Sequence, residues 1–160
     1  LDYKKYQLVI KKFLNKYKSK IIFEPGRSII GNTGTLISKI IYIKKSGKKN
    51  FIILDAAMND LMRPALYGAI HRIMPSLKKN KISNENHEFV GPICESTDSF
   101  LNLKKFQELR ENEIVVICDV GAYGMSLSSN YNLRPKPIEL LIKGSKIKVI
   151  KKRQRHKDFI

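Results

Sequence analysis

Along the first eighteen residues the apolar side chains fall at helical spacing. Tyr6, Val9, Ile10, Phe13, Leu14 and Tyr17 recur three and four apart, with lysines between them. This predicts an amphipathic helix over 2–18 with a Lys-rich outer face. The run KIIF at 20–23 is short and wholly apolar apart from its lysine, as a buried strand would be. A helix followed by such a strand resembles the close of an α/β unit. Beyond Glu24-Pro25-Gly26-Arg27 the period changes. Residues 33–45 and 50–55 are rich in isoleucine and flank Ser46-Gly47, which predicts a long β-hairpin. Further strands are predicted over 69–74, 88–93, 114–118, 137–143 and 146–151, with Lys143-Gly144-Ser145-Lys146 as a hairpin turn. Residues 78–87 are polar and read as a loop. Short helices are predicted around 60–66, with Pro64 in the first turn, and over 103–110. No internal repeat is present. The chain thus divides near residue 32 into a helix–strand segment and a mainly β remainder.

At 160 residues the chain is one domain, or one domain with a piece of another. It opens inside a helix and without a methionine, so a fragment of a longer protein is expected. No apolar run approaches the ~18 residues of a membrane helix, and no signal peptide is visible. Two cysteines, Cys94 and Cys118, are too few for a disulfide scaffold. They and the scattered His71, His87 and His156 show no metal-ligand spacing, so no metal site is expected. A reducing, cytoplasmic setting fits this cysteine usage.

The net charge is +17, from 31 basic and 14 acidic residues. Of the basic residues 24 are Lys and 7 are Arg, and Ile and Asn are also abundant. Those three residue types share AT-rich codons, so base composition accounts for the bias. A phosphate-reading surface would carry more of the planar Arg forks. A basic nucleic-acid-binding β domain is the competing class. Its only motif, the GXXG at Gly31-Asn32-Thr33-Gly34, lacks charge between the glycines and precedes a hairpin rather than belonging to a KH fold. Residues 143–157 carry eight positive charges and no negative ones, which suits a solvated edge strand and tail.

Four segments bear candidate chemistry. In Glu24-Pro25-Gly26-Arg27 a strand end meets a bare Pro-Gly turn, a backbone nest of the kind that binds phosphate. Glu24 can point into such a site, and Arg27 can clamp a carboxylate or phosphate. On spacing alone a plain turn with a surface ion pair is the simpler reading. Arg63 and Tyr67 are four apart and share a helical face, making either a carboxylate pocket or a half-buried surface turn. In Gly91-Pro92-Ile93-Cys94-Glu95-Ser96-Thr97-Asp98 a thiol stands beside a carboxylate, suited to proton donation. A quiet core Cys is the other reading, weakened by the polar residues that follow. In Asp119-Val120-Gly121-Ala122-Tyr123-Gly124 flanking glycines either present the Tyr ring or cap a turn.

Together, EPGRS at 24–28, MRPALY at 62–67, GPICESTD at 91–98, DVGAYG at 119–124 and SNYNLRPKP at 129–137 change the balance. In this order they resemble the C-terminal portion of the pyridoxal-phosphate-dependent decarboxylases of ornithine, lysine, arginine and diaminopimelate. These enzymes have an alanine-racemase-like barrel and a β domain. The resemblance covers essentially the whole chain. It implies a mainly β, sandwich- or barrel-like domain over 33–160, preceded at 1–32 by the last helix and strand of a truncated (β/α)8 barrel.

The resemblance also implies roles. Glu24 would keep the pyridine nitrogen of pyridoxal 5'-phosphate protonated. Pro25, Gly26 and Arg27 would form the turn that takes the cofactor phosphate through backbone N–H groups, and Tyr123 would lie against cofactor and substrate. Arg27, Arg63 and Tyr67 would hold the distal end of the substrate. Cys94 would be the catalytic proton donor and Glu95 would contact a substrate ammonium. Cys94 and Glu95 would serve a partner's active site, which implies a homodimer with shared sites and no nucleic-acid or membrane partner. Relatives acting on ornithine, lysine or arginine carry Asp after the Cys. Glu95, followed by Ser96-Thr97, favours meso-2,6-diaminopimelate, converted to L-lysine and CO2. The cofactor lysine of the family lies in the barrel, and none of the lysines here sits in its motif. The chain alone is therefore expected to be inactive. A remnant that only dimerises is a third reading, opposed by the intact site residues.

Overall fold

The computed structural model describes residues 2–159. Helix α1 (Tyr3–Tyr17) forms where the spacing places it. The Asp2 carboxylate accepts from the Lys5 N–H at 3.2 Å, capping the first turn. Lys18 closes the helix in the left-handed region, its N–H donating to the Leu14 carbonyl at 2.8 Å. No residue of α1 is buried, and its stripe of Tyr6, Val9, Phe13 and Tyr17 is exposed.

Residues 20–23 form no strand, contrary to their apolar character. Phe23 turns back instead, setting its ring 6.1 Å from Tyr6. A strand needs a neighbour for its backbone hydrogen bonds, and no described strand lies beside this run.

Helix α2 (Arg27–Ile30) and a 3-10 turn (Gly31–Thr33) lead into the main sheet. The hairpin β1 (Leu36–Ser46) and β2 (Lys49–Leu54) turns through Gly47 at φ 59°, a conformation that favours glycine. Helix α3 (Arg63–Tyr67) follows, then β3 (Ile73–Pro75), β4 (Ile82–Val90), β5 (Ser99–Gln107) and β6 (Ile114–Ile117). The barrel-like sheet has the order β3-β6-β1-β2-β4-β5. Strand β2 pairs parallel with β4, and the other pairs are antiparallel. A parallel pair demands a long crossover. Here the crossover is the segment that carries α3 and β3.

Alternation fills the core from one face. Ile52 and Leu54 of β2, Phe89 of β4, Val115 and Ile117 of β6 and Ile40 of β1 are essentially fully buried. Ala56, Leu61, Ile73, Phe100 and Leu109 complete the cluster. Phe106 meets Phe89 edge-on at 5.2 Å.

Several sequence expectations need correction. The predicted 88–93 strand begins in the supposed loop and runs Ile82–Val90. Its polar face, with Asn84, Asn86 and Glu88, hides the alternation of His87 and Phe89 toward the core. The predicted helix at 103–110 is instead the end of β5. The register slips opposite Ser83–Asn86, and Lys105 adopts φ 63°. The bulge puts Leu103 and Phe106, three apart, on the same core, which mimics helical spacing. The predicted 69–74 strand shortens and shifts to Ile73–Pro75, which pairs with β6.

A second, two-stranded sheet joins β7 (Glu139–Lys143) and β8 (Lys146–Lys151), turning through Gly144 at φ 59°. Every residue of β8 is exposed, including Ile147, Val149 and Ile150.

Candidate functional site

The Glu24-Pro25-Gly26-Arg27 segment reaches the sheet through a seam of glycines. The Gly121 N–H donates to the Gly31 carbonyl at 2.9 Å, and the Val120 N–H to Gly34 at 3.0 Å. A Cβ on Gly121 would stand 2.0 Å from the Ile30 carbonyl oxygen, and one on Gly34 would stand 2.6 Å from the Gly121 Cα. The two backbones approach this closely because neither glycine has a side chain. The seam docks α2 on the loop that bears Tyr123. Arg27 Cγ lies 3.4 Å from where a Gly31 Cβ would be, and Ala122 flanks the same point at 4.0 Å.

Arg63 comes from the crossover. Pro64 sits in the first turn of α3, where its missing N–H costs nothing. Gly68, at φ 61°, ends the helix, with its N–H donating to Pro64 and the Ala69 N–H donating to Arg63. Arg27 and Arg63, from two separate motifs, line one concavity of about 350 Å³ with Gly31, Asn32, His71 and Asp119. No lysine is among its lining residues. Two guanidiniums against the single carboxylate of Asp119 suit it to an anion. Asp119 and Tyr123 hold left-handed backbones, at φ 62° and 64°, on either side of the Gly121 seam.

Other sequence candidates lie apart from this concavity. Glu24, Pro25 and Gly26 precede α2 on the exposed surface. Tyr67 and Tyr123 are 65% and 53% exposed and do not line the cavity, so neither ring is spent on the core. Cys94 is an exposed free thiol, and Glu95 is exposed beside it. The Tyr131 hydroxyl donates to Glu95 Oε2 at 3.5 Å. The Cys94–Glu95 loop is exposed but anchored at its base. Buried Asp98 accepts from the Ile93 N–H at 2.9 Å and the Met58 N–H at 2.7 Å. Burial raises the Asp98 carboxyl above its ordinary 3.8, against those two hydrogen bonds and the Arg134 charge, which lower it. Burial likewise raises Asp60, whose carboxylate accepts from the Ala57 N–H at 2.9 Å.

Two residues escape sequence reasoning. His71 is buried under Arg63, but an isolated histidine has no spacing partner to reveal it. Arg134 ties the crossover's start to the 129–134 segment. Its Nε donates to Asn59 Oδ1 at 3.0 Å, its Nη2 bonds the Asp55 carbonyl, and Asp60 lies at 3.9 Å. Its motif offers no hint of partners more than seventy residues away. Among the described residues no group of three or more His, Cys, Asp or Glu could hold a metal ion, and no helix is long and apolar enough to cross a membrane.

The chain is thus a barrel-like sheet domain with a concavity bearing two guanidiniums and, apart from it, an exposed loop that sets a thiol beside a carboxylate. Comparison with known proteins makes the class specific. The family described as "Pyridoxal-dependent decarboxylase, C-terminal sheet domain" matches residues 7–121, and the chain belongs to it. A curated diaminopimelate decarboxylase from Aquifex aeolicus is 42% identical over 152 residues, which is 95% of this chain and 36% of that protein. The crystal structure of diaminopimelate decarboxylase from Helicobacter pylori complexed with L-lysine superposes with TM-score 0.84 at 42% identity. That match covers 99% of this chain and 39% of that one. A lysine/ornithine decarboxylase from Vibrio vulnificus complexed with cadaverine is 18% identical, with TM-score 0.62 over 71% of this chain and 31% of its own. That likeness shows the fold alone. The chain thus spans little more than a third of the length of the relatives it matches.

Proposed function

We propose that the chain is the C-terminal part of a pyridoxal-phosphate-dependent decarboxylase converting meso-2,6-diaminopimelate to L-lysine and CO2. The observation that carries this reading is the convergence of Arg27 and Arg63 on one concavity. A substrate with two amino-acid ends must keep one carboxylate while losing the other, and a double guanidinium clamp suits the one that stays. The run of diaminopimelate decarboxylases at about 40% identity favours that substrate over ornithine, lysine or arginine. Residues 1–32 are assigned to the end of the barrel and 33–160 to the β domain. Support for that division is the start of the main sheet at Leu36, beyond the glycine seam.

The residues fit the cofactor. The Gly26 carbonyl takes the N–H groups of Ile29 and Ile30, so those of Arg27 and Ser28 are the ones at the turn that can meet a phosphate; Gly26 leaves open space there, and Arg27 adds a cation. In this reading Pro25, Gly26 and Arg27 hold the phosphate, Glu24 faces the ring nitrogen, and the exposed Tyr123 ring lies against cofactor and substrate. When bound, pyridoxal phosphate supplies the protonated ring that accepts the electron pair left as CO2 departs. The Glu24 carboxylate favours the proton on that nitrogen. Arg27, Arg63 and Tyr67 orient the surviving carboxylate. Cys94 delivers a proton to the carbon that lost its carboxylate, while Glu95, steadied by Tyr131, takes a substrate ammonium. In this reading Cys94 and Glu95 act in a second subunit's site, which makes the protein a homodimer, and the support is that both side chains are exposed rather than spent on this chain's own core. The covalent lysine is assigned to the length of the relatives that this chain does not span. A cytoplasmic location completes the reading, supported by the two free thiols.

The test is lysine release by the whole protein with pyridoxal phosphate. Turnover of meso-diaminopimelate in preference to ornithine supports the reading, and the reverse preference overturns it. Arg63→Ala should raise KM for meso-diaminopimelate about tenfold to a hundredfold, the loss of one or two charge-assisted hydrogen bonds.

A further inference from the structure

The concavity that joins Arg27 and Arg63 also contains His71, whose side chain is 1% exposed. Its Nδ1 lies 2.9 Å from the Cys118 carbonyl oxygen. A carbonyl oxygen only accepts, so Nδ1 carries the proton. Nε2 then presents a lone pair, and Arg63 Nη1 lies 3.4 Å from it. A guanidinium only donates, so the two contacts are complementary in this one neutral tautomer. The ring is fixed in turn by the backbone. The Cys118 N–H donates to the Arg72 carbonyl at 2.8 Å, so residues 71 and 72 are tied to the end of β6 at two points.

The geometry points to His71 as the positioning residue of Arg63. It engages Nη1 and leaves the remaining guanidinium N–H groups to the ligand's carboxylate. An arginine held this way loses less rotamer freedom on binding than one ordered by the ligand itself. This inference rests on the reading of Arg63 as a carboxylate clamp. His71 acts through Arg63, so its removal should weaken affinity more than turnover.

Two substitutions separate the bonds. His71→Asn keeps a donor toward Cys118 and removes the acceptor toward Arg63. His71→Gln reaches further and restores an acceptor near the place of Nε2. In the whole protein loaded with pyridoxal phosphate, calorimetry with L-lysine and steady-state kinetics with meso-diaminopimelate are compared. His71→Asn should weaken L-lysine binding about tenfold and raise KM similarly, with a smaller change in kcat. His71→Gln should recover most of the affinity. In an Arg63→Ala background His71→Asn should add less than about twofold, since it has nothing left to position. An unchanged Kd in His71→Asn, or its full penalty in the Arg63→Ala background, overturns the proposal. If Arg63→Ala itself leaves the L-lysine Kd unchanged, the clamp reading fails and this inference falls with it. Nitrogen-15 spectra of the wild-type imidazole test the geometry without any variant. A protonated Nδ1 with an unprotonated Nε2 whose resonance moves on Arg63→Ala is expected, and the opposite tautomer overturns it.

Discussion

Single residues here carry consequences well beyond their own contacts. Asp98 is the clearest case, since one buried carboxylate accepts from Met58 and Ile93 and so fixes the loop that carries Cys94 and Glu95. Asp98→Ala leaves both N–H groups without their acceptor. A loss of about 1–3 kcal/mol in urea unfolding is expected, with faster hydrogen exchange across 91–98. Burial raises the carboxyls of Asp98 and Asp60, which sets the sign of a pH effect. The folded state then holds protons more tightly than the unfolded chain. The stability from these two groups is full below pH 3.8 and is lost as pH rises through their raised folded values. Carboxyl NMR titration should place both midpoints above 3.8, and midpoints below it would reverse the sign. Arg134 spans three acceptors with a planar fork, so Arg134→Lys should restore little of what Arg134→Ala loses in thermal stability. Arg27, Arg63, Cys94 and Glu95 are legible in the sequence because their motifs are local. His71 and Arg134 are not, because their partners are remote in the chain.

At the level of elements, the backbone seam between 31–34 and 120–121 matters more than any helix. Gly121→Ala places a methyl 2.0 Å from the Ile30 carbonyl oxygen, where backbone, not a flexible side chain, must yield. A cost of about 1–3 kcal/mol or more is expected, together with protease sensitivity near residues 27–34. Gly26→Ala, with open space at its Cβ, should leave stability nearly unchanged. Elements with a clean local period are readable directly. The helix Tyr3–Tyr17, the first hairpin, Ile114–Ile117 and the final hairpin all form near their predicted places. Elements whose period is broken are not. Residues 99–107 look helical at their end because a bulge at Lys105 shifts the inward phase. Residues 82–87, the first part of β4, read as a loop because their Ser, Asn and Glu outnumber the one buried core residue, His87.

The whole molecule presents two surfaces that its core does not explain. The stripe of α1 and the faces of the β7–β8 hairpin leave Tyr6, Val9, Phe13, Leu141, Ile142, Ile147 and Ile150 exposed. Contiguous apolar exposure of this kind favours association. The chain on its own should bind a hydrophobic dye strongly and elute above monomer size, and weak dye binding by a clean monomer would count against it. Charge acts at the same scale. A net +17 should draw the chain weakly to any polyanion at low salt. That binding should disappear by roughly physiological ionic strength, as expected of a base-composition bias rather than a reading surface. Persistent, sequence-selective binding there would overturn this account.

Residue order is enough to show a mainly β domain, the hairpin turns at Gly47 and Gly144, and the short motifs that bear the candidate chemistry. These depend on local period, on glycine's access to positive φ and on residue type. Only the folded chain shows that β2 and β4 pair in parallel, that 20–23 has no strand neighbour among the described residues, and that Arg27 and Arg63 share a concavity with a buried His71. Each of these depends on a neighbour far along the chain, and no local pattern records which neighbour will arrive.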